Sequence, residues 1–71
     1  MIRAKFVVSS KKEWQGGFEI ELYVVTEGTA EDKAFYTSTP SGNVRIATVG
    51  KNVADQFEIG KKYYVDFTKA E

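Results

Sequence analysis

Apolar and polar residues alternate along three stretches of the chain, and this alternation predicts a β-strand at each of them. Residues 2–9 and 18–26 place apolar side chains at every second position, and residues 60–68 do so with aromatic and β-branched side chains. Successive side chains of an extended strand point to opposite faces, so each strand has a predicted core face and a predicted outer face. The predicted core residues are Ile2, Ala4, Phe6, Val8, Phe18, Ile20, Leu22, Val24, Tyr63, Val65 and Phe67.

Two shorter segments, residues 33–39 and 44–49, complete a predicted set of five strands. The sequence Thr-Pro-Ser-Gly-Asn at 39–43 is typical of a tight turn, so these two segments are predicted to form a hairpin. Asn52 is a predicted N-cap for one or two helical turns through residue 57, with Asp55 at the third helical position. This short helix is predicted to cover an open end of the sheet.

Together these elements predict a mainly all-β fold, a small five-stranded antiparallel β-barrel with one short helix before the last strand. It forms a single domain over residues 1–71. Closure into a barrel removes the free strand edges that promote aggregation. In the first hairpin, Arg3 and Lys5 are predicted to face the carboxylates of Glu19 and Glu21, which is a purely structural explanation of these charges.

Two loops interrupt the predicted strands. Residues 11–17 break the alternation, and Gly16-Gly17 is typical of a turn. Trp14 lies in this loop, either as a lid folded onto the barrel or as a contact for a ligand or another subunit. Residues 27–32 are predicted to form a solvated loop, because the adjacent carboxylates Glu31 and Asp32 lack the spacing of a calcium or magnesium site.

The chain has no cysteine and no histidine, which removes disulfides, thiolate nucleophiles, imidazole bases and the usual zinc ligands. The remaining hydroxyl, lysine and carboxylate groups have no spacing that indicates a catalytic pair. Gly16-Gly17 precedes a strand rather than a helix, unlike a phosphate-binding loop. We therefore expect a protein that is not an enzyme and has no catalytic residues, no metal and no cofactor.

Ten basic and ten acidic residues give a formal net charge of zero. This balance does not favour long-range attraction to nucleic acid or to an anionic membrane, so any anion site has to be local. The first residues contain no apolar run that is typical of a signal peptide or a membrane span. We expect a soluble protein of a reducing cytoplasm.

Two motifs lie in the second half of the chain. Residues 35–43 carry aromatic residues followed by Thr-Pro-Ser-Gly, and residues 60–70 read Gly-Lys-Lys-Tyr-Tyr-Val-Asp-Phe-Thr-Lys-Ala. In these motifs, and in the intervening residues 52–57, the chain resembles a group of small phage and prophage proteins of unassigned function. The resemblance implies a phage accessory protein that acts in the cytoplasm of a bacterial host, and it brings no assigned site residues.

One Trp, four Tyr and five Phe give more ring surface than one small core is expected to bury. The surplus rings and the nearby cations form the predicted binding residues, namely Tyr23, Tyr36, Tyr64, Arg45, Lys62, Arg3, Lys5 and Trp14. Bases stack on aromatic rings, and Arg or Lys binds phosphate. The first hypothesis is therefore a nucleotide-containing ligand, either a small nucleotide signal, as in an anti-defence sponge, or single-stranded DNA.

A second hypothesis assigns the same rings, together with Val25, to a protein-interaction module that binds or inhibits a host or phage protein. The position of the cations separates the two hypotheses. A concave pocket shared by Arg45, Lys62 and the tyrosines favours a nucleotide, whereas a flat patch ringed by paired charges favours a protein interface. With either function, a chain this small, neutral and ring-rich is expected to form a homo-oligomer.

Overall fold

A computed structural model describes residues 2–26 and 28–70, which form one antiparallel sheet and two short helices. The strands lie side by side in the order β3-β2-β1-β4, so that β3 and β4 are the edges of the sheet. The elements in chain order are β1 (Ile2–Trp14), β2 (Gly17–Val24), α1 (Ala30–Ser38), β3 (Asn43–Thr48), α2 (Lys51–Ala54) and β4 (Lys62–Phe67). The prediction of a mainly β architecture is confirmed.

The prediction of a closed five-stranded barrel is wrong, because residues 33–39 lie almost entirely in helix α1 instead of in a strand. Thr29 and Asp32 form a capping box at the start of this helix. The Thr29 hydroxyl accepts the backbone N–H of Asp32, and the Asp32 carboxylate accepts the backbone N–H of Thr29, both at 3.2 Å. These bonds satisfy donors that a helix start otherwise leaves unpaired. The sheet therefore has four strands and stays open.

The first hairpin is longer than predicted. Residues 11–14, assigned to a loop from the sequence, continue strand β1, and only Gln15 and Gly16 form the turn. Gly16 has a φ of 97°, which favours glycine. The apolar alternation breaks because the register shifts by one residue between Val8 and Ser10, as in a β-bulge. Beyond this bulge the chain is still a strand, although its side chains have exchanged faces.

The hydrophobic core lies on one face of the sheet, which we call the core face. Buried residues of β1 and β2 pack there with Ala54 of α2, as predicted for Ala4, Phe6, Val8, Ile20 and Leu22. Phe18, Val24, Tyr63 and Val65 are partly buried against them, also as predicted. Ile2 and Phe67 are exceptions: they pair at the far end of β1 and β4 and are 71% and 55% exposed.

Helix α2 covers part of the core face, and its position before the last strand confirms the predicted short helix. It begins after Gly50 rather than after Asn52 as predicted, and no side-chain hydrogen bond caps its first turn. The ring of Phe57 follows the helix and packs 5.4 Å from the ring of Tyr63. In the described residues no helix has the length and apolar character needed to cross a membrane.

Candidate functional site

A buried carboxylate, Asp32, organises the opposite face of the sheet, which we call the outer face. Its side chain is completely buried and forms ion pairs with Lys5 of β1 and Lys62 of β4. Lys5 Nζ lies 2.6 Å from Oδ1, the distance of an ion pair, although the angle is not that of a good hydrogen bond. We call Asp32, Lys5, Lys62, Glu31 and Tyr64 the Asp32 cluster.

The cluster forms because three elements converge at one place. Lys5 pairs with Tyr64, and Lys62 with Val7, so the side chains of Lys5, Tyr64 and Lys62 all lie on the outer face. The first turn of α1 brings Glu31 and Asp32 over them. A Cβ atom at Gly28 would overlap Asp32 Oδ2 and would lie 3.0 Å from Lys62 Nζ, so glycine is needed where the chain approaches the ion pair.

The electrostatics of the cluster favour the charged states of Asp32, Glu31 and Lys5. The pKa of Asp32 is lowered, first by contact with the Lys5 ammonium and then with Lys62, and these effects outweigh burial. The pKa of Lys5 is raised by Asp32 and Glu31. The pKa of Glu31 is lowered by Lys5 and by the hydroxyl of Tyr64. Both Lys5 and Lys62 therefore already form ion pairs with carboxylates of their own chain.

Tyr64 is held in place by residues of its own chain. The guanidinium of Arg3 lies 4.7 Å from the centre of the Tyr64 ring, and the ring of Phe35 lies 6.0 Å away. The Tyr64 hydroxyl donates to Glu31 Oε1 at 2.6 Å, which raises the pKa of the tyrosine. Arg3 donates to both carboxylate oxygens of Asp66, at 2.6 and 3.1 Å. The ring and the guanidinium thus already have internal partners.

The other predicted binding residues lie elsewhere. Arg45 is on the edge strand β3, where it forms an ion pair with Glu19 at 3.6 Å. Because β3 and β4 are opposite edges of the sheet, Arg45 and Lys62 are separated by three strand spacings of about 4.8 Å each. Tyr36 is on α1 and Trp14 is at the end of β1. The structure therefore brings Arg3, Lys5, Lys62 and Tyr64 together but not the remaining four residues.

The predicted cross-strand charge pairing of Arg3 and Lys5 with Glu19 and Glu21 is wrong. Arg3 lies opposite Asp66 of β4, and Lys5 reaches the carboxylates of α1. The register of the hairpin explains the difference, since it sets Glu21 opposite Ser10 and Glu19 opposite Lys12, beyond the bulge.

Val25, which the sequence placed on the outer surface, is 2% exposed. Its backbone N–H donates to the carbonyl of Lys5 at 3.3 Å, which extends the β1–β2 pairing by one residue. Val25 is therefore unable to contribute to an interaction surface.

Beyond α1, the outer face of β2 and β3 remains exposed or only half buried. Strand register places on it Glu19, Glu21 and Tyr23 of β2 and Asn43, Arg45 and Ala47 of β3, and Trp14 at the end of β1 adjoins them; we call these seven side chains the open face. Tyr23 lies near one end, bonded to Glu21 at 3.3 Å, and Trp14 lies at the other end beside Gly17. Two rings thus flank a strip of charges of both signs, about 20 Å long at about 3.4 Å per residue of β2.

Among the described residues, two cavities lie outside the Asp32 cluster. One, of about 210 Å³, lies between the β1–β2 hairpin and α2 and is lined by Lys11, Lys12, Glu13, Phe18, Lys51, Ala54 and Asp55. The other, of about 130 Å³, lies beside Trp14 and Val49. Neither cavity is lined by Tyr23, Tyr36 or Tyr64.

The sequence reasoning missed Asp32, the residue on which the cluster depends. Residues 27–32 were assigned to a solvated loop, and Glu27 lies outside the described residues. The signal that was present is Thr29-x-x-Asp32, since Thr followed three residues later by an acidic residue is typical of a helix start. Phe35 lies in residues 33–39, for which the residue types predict a strand, so the sequence does not indicate its contact with Tyr64.

Comparisons with family models, with curated proteins and with solved structures find no significant match.

The ion pairs of the cluster predict how stability depends on pH. A carboxyl group whose pKa is lowered by folding contributes stability that is present above its ordinary pKa, 3.8 for Asp32, and is lost as the pH falls further. We expect a melting temperature that changes little between about pH 5 and pH 8 and falls steeply below about pH 4. Thermal unfolding followed by circular dichroism measures it. Asp32→Asn should reduce the fall of the melting temperature at acid pH. An equal fall in the variant and the wild type would contradict the stabilising role of the Asp32 ion pairs.

Proposed function

We propose that this protein is a non-enzymatic interaction module that binds a folded protein through its open face. The observation that carries the proposal is the pairing of the cations. Arg3, Lys5, Arg45 and Lys62, which the sequence offered as phosphate ligands, each form an ion pair with a carboxylate of the same chain. Binding of a phosphate at Lys5 or Lys62 would have to compete with the buried carboxylate of Asp32, whereas the pairs of Arg3 and Arg45 are more exposed and contribute less.

The shape of the surface supports a protein partner. Neither of the two cavities found among the described residues is lined by Tyr23, Tyr36 or Tyr64, and the open face is one side of a sheet whose outermost rings are about half exposed. Protein interfaces combine aromatic anchors with charges of both signs, whereas single-stranded nucleic acid requires a positively charged groove. Tyr23 is the expected anchor, because it lies at the end of the open face that is next to the Asp32 cluster.

The phage resemblance indicates where the partner is found. If this protein is a phage accessory protein, the partner is a protein of the bacterial host or of the phage itself. This origin remains a prediction, as does action in the host cytoplasm.

The test uses Tyr23→Ser and a matched control, Tyr36→Ser, because both rings are similarly exposed at 46% and 40%. Proteins captured from a bacterial lysate by the wild-type protein are identified, purified and titrated against all three chains. We expect Tyr23→Ser to weaken binding of the captured protein by about tenfold or more, as for a hot-spot residue, and Tyr36→Ser to change it by less than about threefold. Equal affinity of wild type and Tyr23→Ser would refute the open face as the binding site.

A nucleotide-containing ligand remains the second candidate, and one cavity of the structure is a candidate site for it. The cavity of about 210 Å³ is lined by Lys11, Lys12 and Lys51 and by the ring of Phe18, together with the carboxylates of Glu13 and Asp55. Lys51 is paired with Asp55 at 3.1 Å, but on the surface, where such a pair contributes little. Calorimetric titration with short oligonucleotides and a panel of cyclic nucleotides distinguishes the candidates. Micromolar binding that Lys51→Gln abolishes would replace the proposal of a protein partner with that of a nucleotide site.

A further inference from the structure

Strand β4 is an edge of the sheet and contacts only β1 as a strand neighbour. The carbonyl of Lys61 accepts the backbone N–H of Val8 at 3.1 Å, so this carbonyl points toward β1, and by alternation the backbone groups of Tyr63 and Val65 also point toward β1. Backbone groups alternate in direction along a strand, and those of Lys62, Tyr64 and Asp66 therefore point away from β1. In the described part of the chain, no other strand pairs with this outer edge.

The outer edge of β4 is complementary to itself. Directly opposed residues of antiparallel strands share a face, so a twofold axis at Tyr64 sets Lys62 of one copy opposite Asp66 of the other. The same axis sets Tyr63 opposite Val65 on the core face and Tyr64 opposite Tyr64 on the outer face. Every outward-pointing backbone group of the three residues then has a partner, and no like charges face each other across the axis, since Lys62 lies opposite Asp66.

The other edge of the sheet lacks this property. Val25 bonds to β1, so by alternation Leu22 and Ile20 bond to β3, and the outward residues of β3 are Asn43, Arg45 and Ala47. A twofold axis at the central residue sets Arg45 opposite Arg45. Like charges directly opposite each other destabilise strand pairing. Of the two edges, β4 is therefore the one suited to a second copy.

We propose that this protein forms a twofold homodimer in which the β4 strands of two copies pair antiparallel about Tyr64. The four-stranded sheets join into one sheet of eight strands, and the α1 helices lie on the same side of it, flanking the axis. The dimer shields the free edge of β4, which would otherwise be open to non-specific strand addition. The dimer forms through the edge of β4, which is separate from the open face. The dimer and the binding of a protein partner can therefore be tested and rejected independently.

Amide exchange of the wild-type protein tests the register without any substitution. Over an about hundredfold range of concentration, NMR-detected hydrogen exchange of the Lys62, Tyr64 and Asp66 amides should become at least about tenfold slower. The amides of Arg45 and Ala47 on β3 should not respond. Sedimentation should show a dimer at the high concentration. A monomer throughout, or equal exchange rates at both concentrations, would show that the β4 edges do not pair.

Single cysteines test the position of the axis, because the chain has no cysteine of its own. Tyr64→Cys places two thiols directly opposite each other across the axis, within the separation that a disulfide requires. We expect mild oxidation to convert Tyr64→Cys to a covalent dimer at least about tenfold faster than Arg45→Cys, the control at the centre of β3. Circular dichroism checks that both variants are folded. Equal rates in folded variants would overturn the proposed pairing.

Discussion

Asp32→Asn is expected to lower the melting temperature by about 10 °C or more, measured by circular dichroism near neutral pH. The substitution removes the negative charge that holds Lys5 and Lys62 together and leaves two ammonium groups next to each other on the outer face. It also weakens the acceptor for the backbone N–H of Thr29 at the start of α1. The loss of buried ion pairs is among the largest effects that one substitution produces.

The matched control for this prediction is Asp55→Asn, which breaks the exposed i,i+4 pair with Lys51. Exposed pairs contribute little, so the melting temperature of this variant should stay within about 3 °C of wild type. Equal effects of the two substitutions would mean that Asp32 is no more important than a surface carboxylate. Lys5→Met combined with Asp32→Asn should also destabilise by less than the sum of the single changes.

Leu22→Ala is expected to unfold a large fraction of the protein at room temperature. The Leu22 side chain is 2% exposed and lies in the core between β1, β2 and α2. Truncation of a buried leucine costs about 2–5 kcal/mol, whereas a domain of this size is stable by only about 3–5 kcal/mol. Urea unfolding followed by intrinsic fluorescence measures the change in the free energy of unfolding.

Val49→Ala is the control for Leu22→Ala, because Val49 is 86% exposed. Its free energy of unfolding should change by no more than about 0.5 kcal/mol. If Leu22→Ala unfolds cooperatively and loses less than about 1 kcal/mol of unfolding free energy, the side chain of Leu22 contributes little to the core. The core assignment from alternation would then be wrong.

The core could be predicted from the sequence because alternation in a half-buried strand depends only on which side of the sheet a residue faces. Ala4, Phe6 and Val8 of β1 illustrate this, since they were assigned from the pattern and are buried. The prediction failed at Ile2 and Phe67, which have the right parity but lie at the end of the sheet, where no element of the described residues covers them. Parity determines a face but not whether that face is covered.

The barrel could not be predicted correctly, because residues 33–39 contain aromatic residues and threonine, which favour a strand locally. The helix forms instead because its start is fixed by the capping box and by the ion pairs of Asp32 with two distant strands. Lys5 precedes Asp32 by 27 positions and Lys62 follows it by 30. Such tertiary contacts override local propensity and leave no periodic signal.

The candidate site was only partly accessible from the sequence for a similar reason. The rings and cations of the outer strands could be recognised as side chains that the core does not need. Their pairing could not, since it depends on the bulge between Val8 and Ser10 and on the position of α1. The pairing is what changes the functional interpretation, because cations held by carboxylates of their own chain no longer favour a phosphate ligand.

The central claim is that Lys5 and Lys62 serve the buried carboxylate of Asp32 rather than an external anion. The most direct test is the pKa of Asp32, followed through its carboxyl ¹³C chemical shift from neutral pH into acid. We predict that the Asp32 carboxyl stays ionised as the pH falls through 3.8, its ordinary value, and titrates only at more acidic pH. A titration midpoint of the Asp32 carboxyl group at or above 3.8 while the protein is still folded would contradict the claim. Lys5 and Lys62 would then again be candidate phosphate ligands.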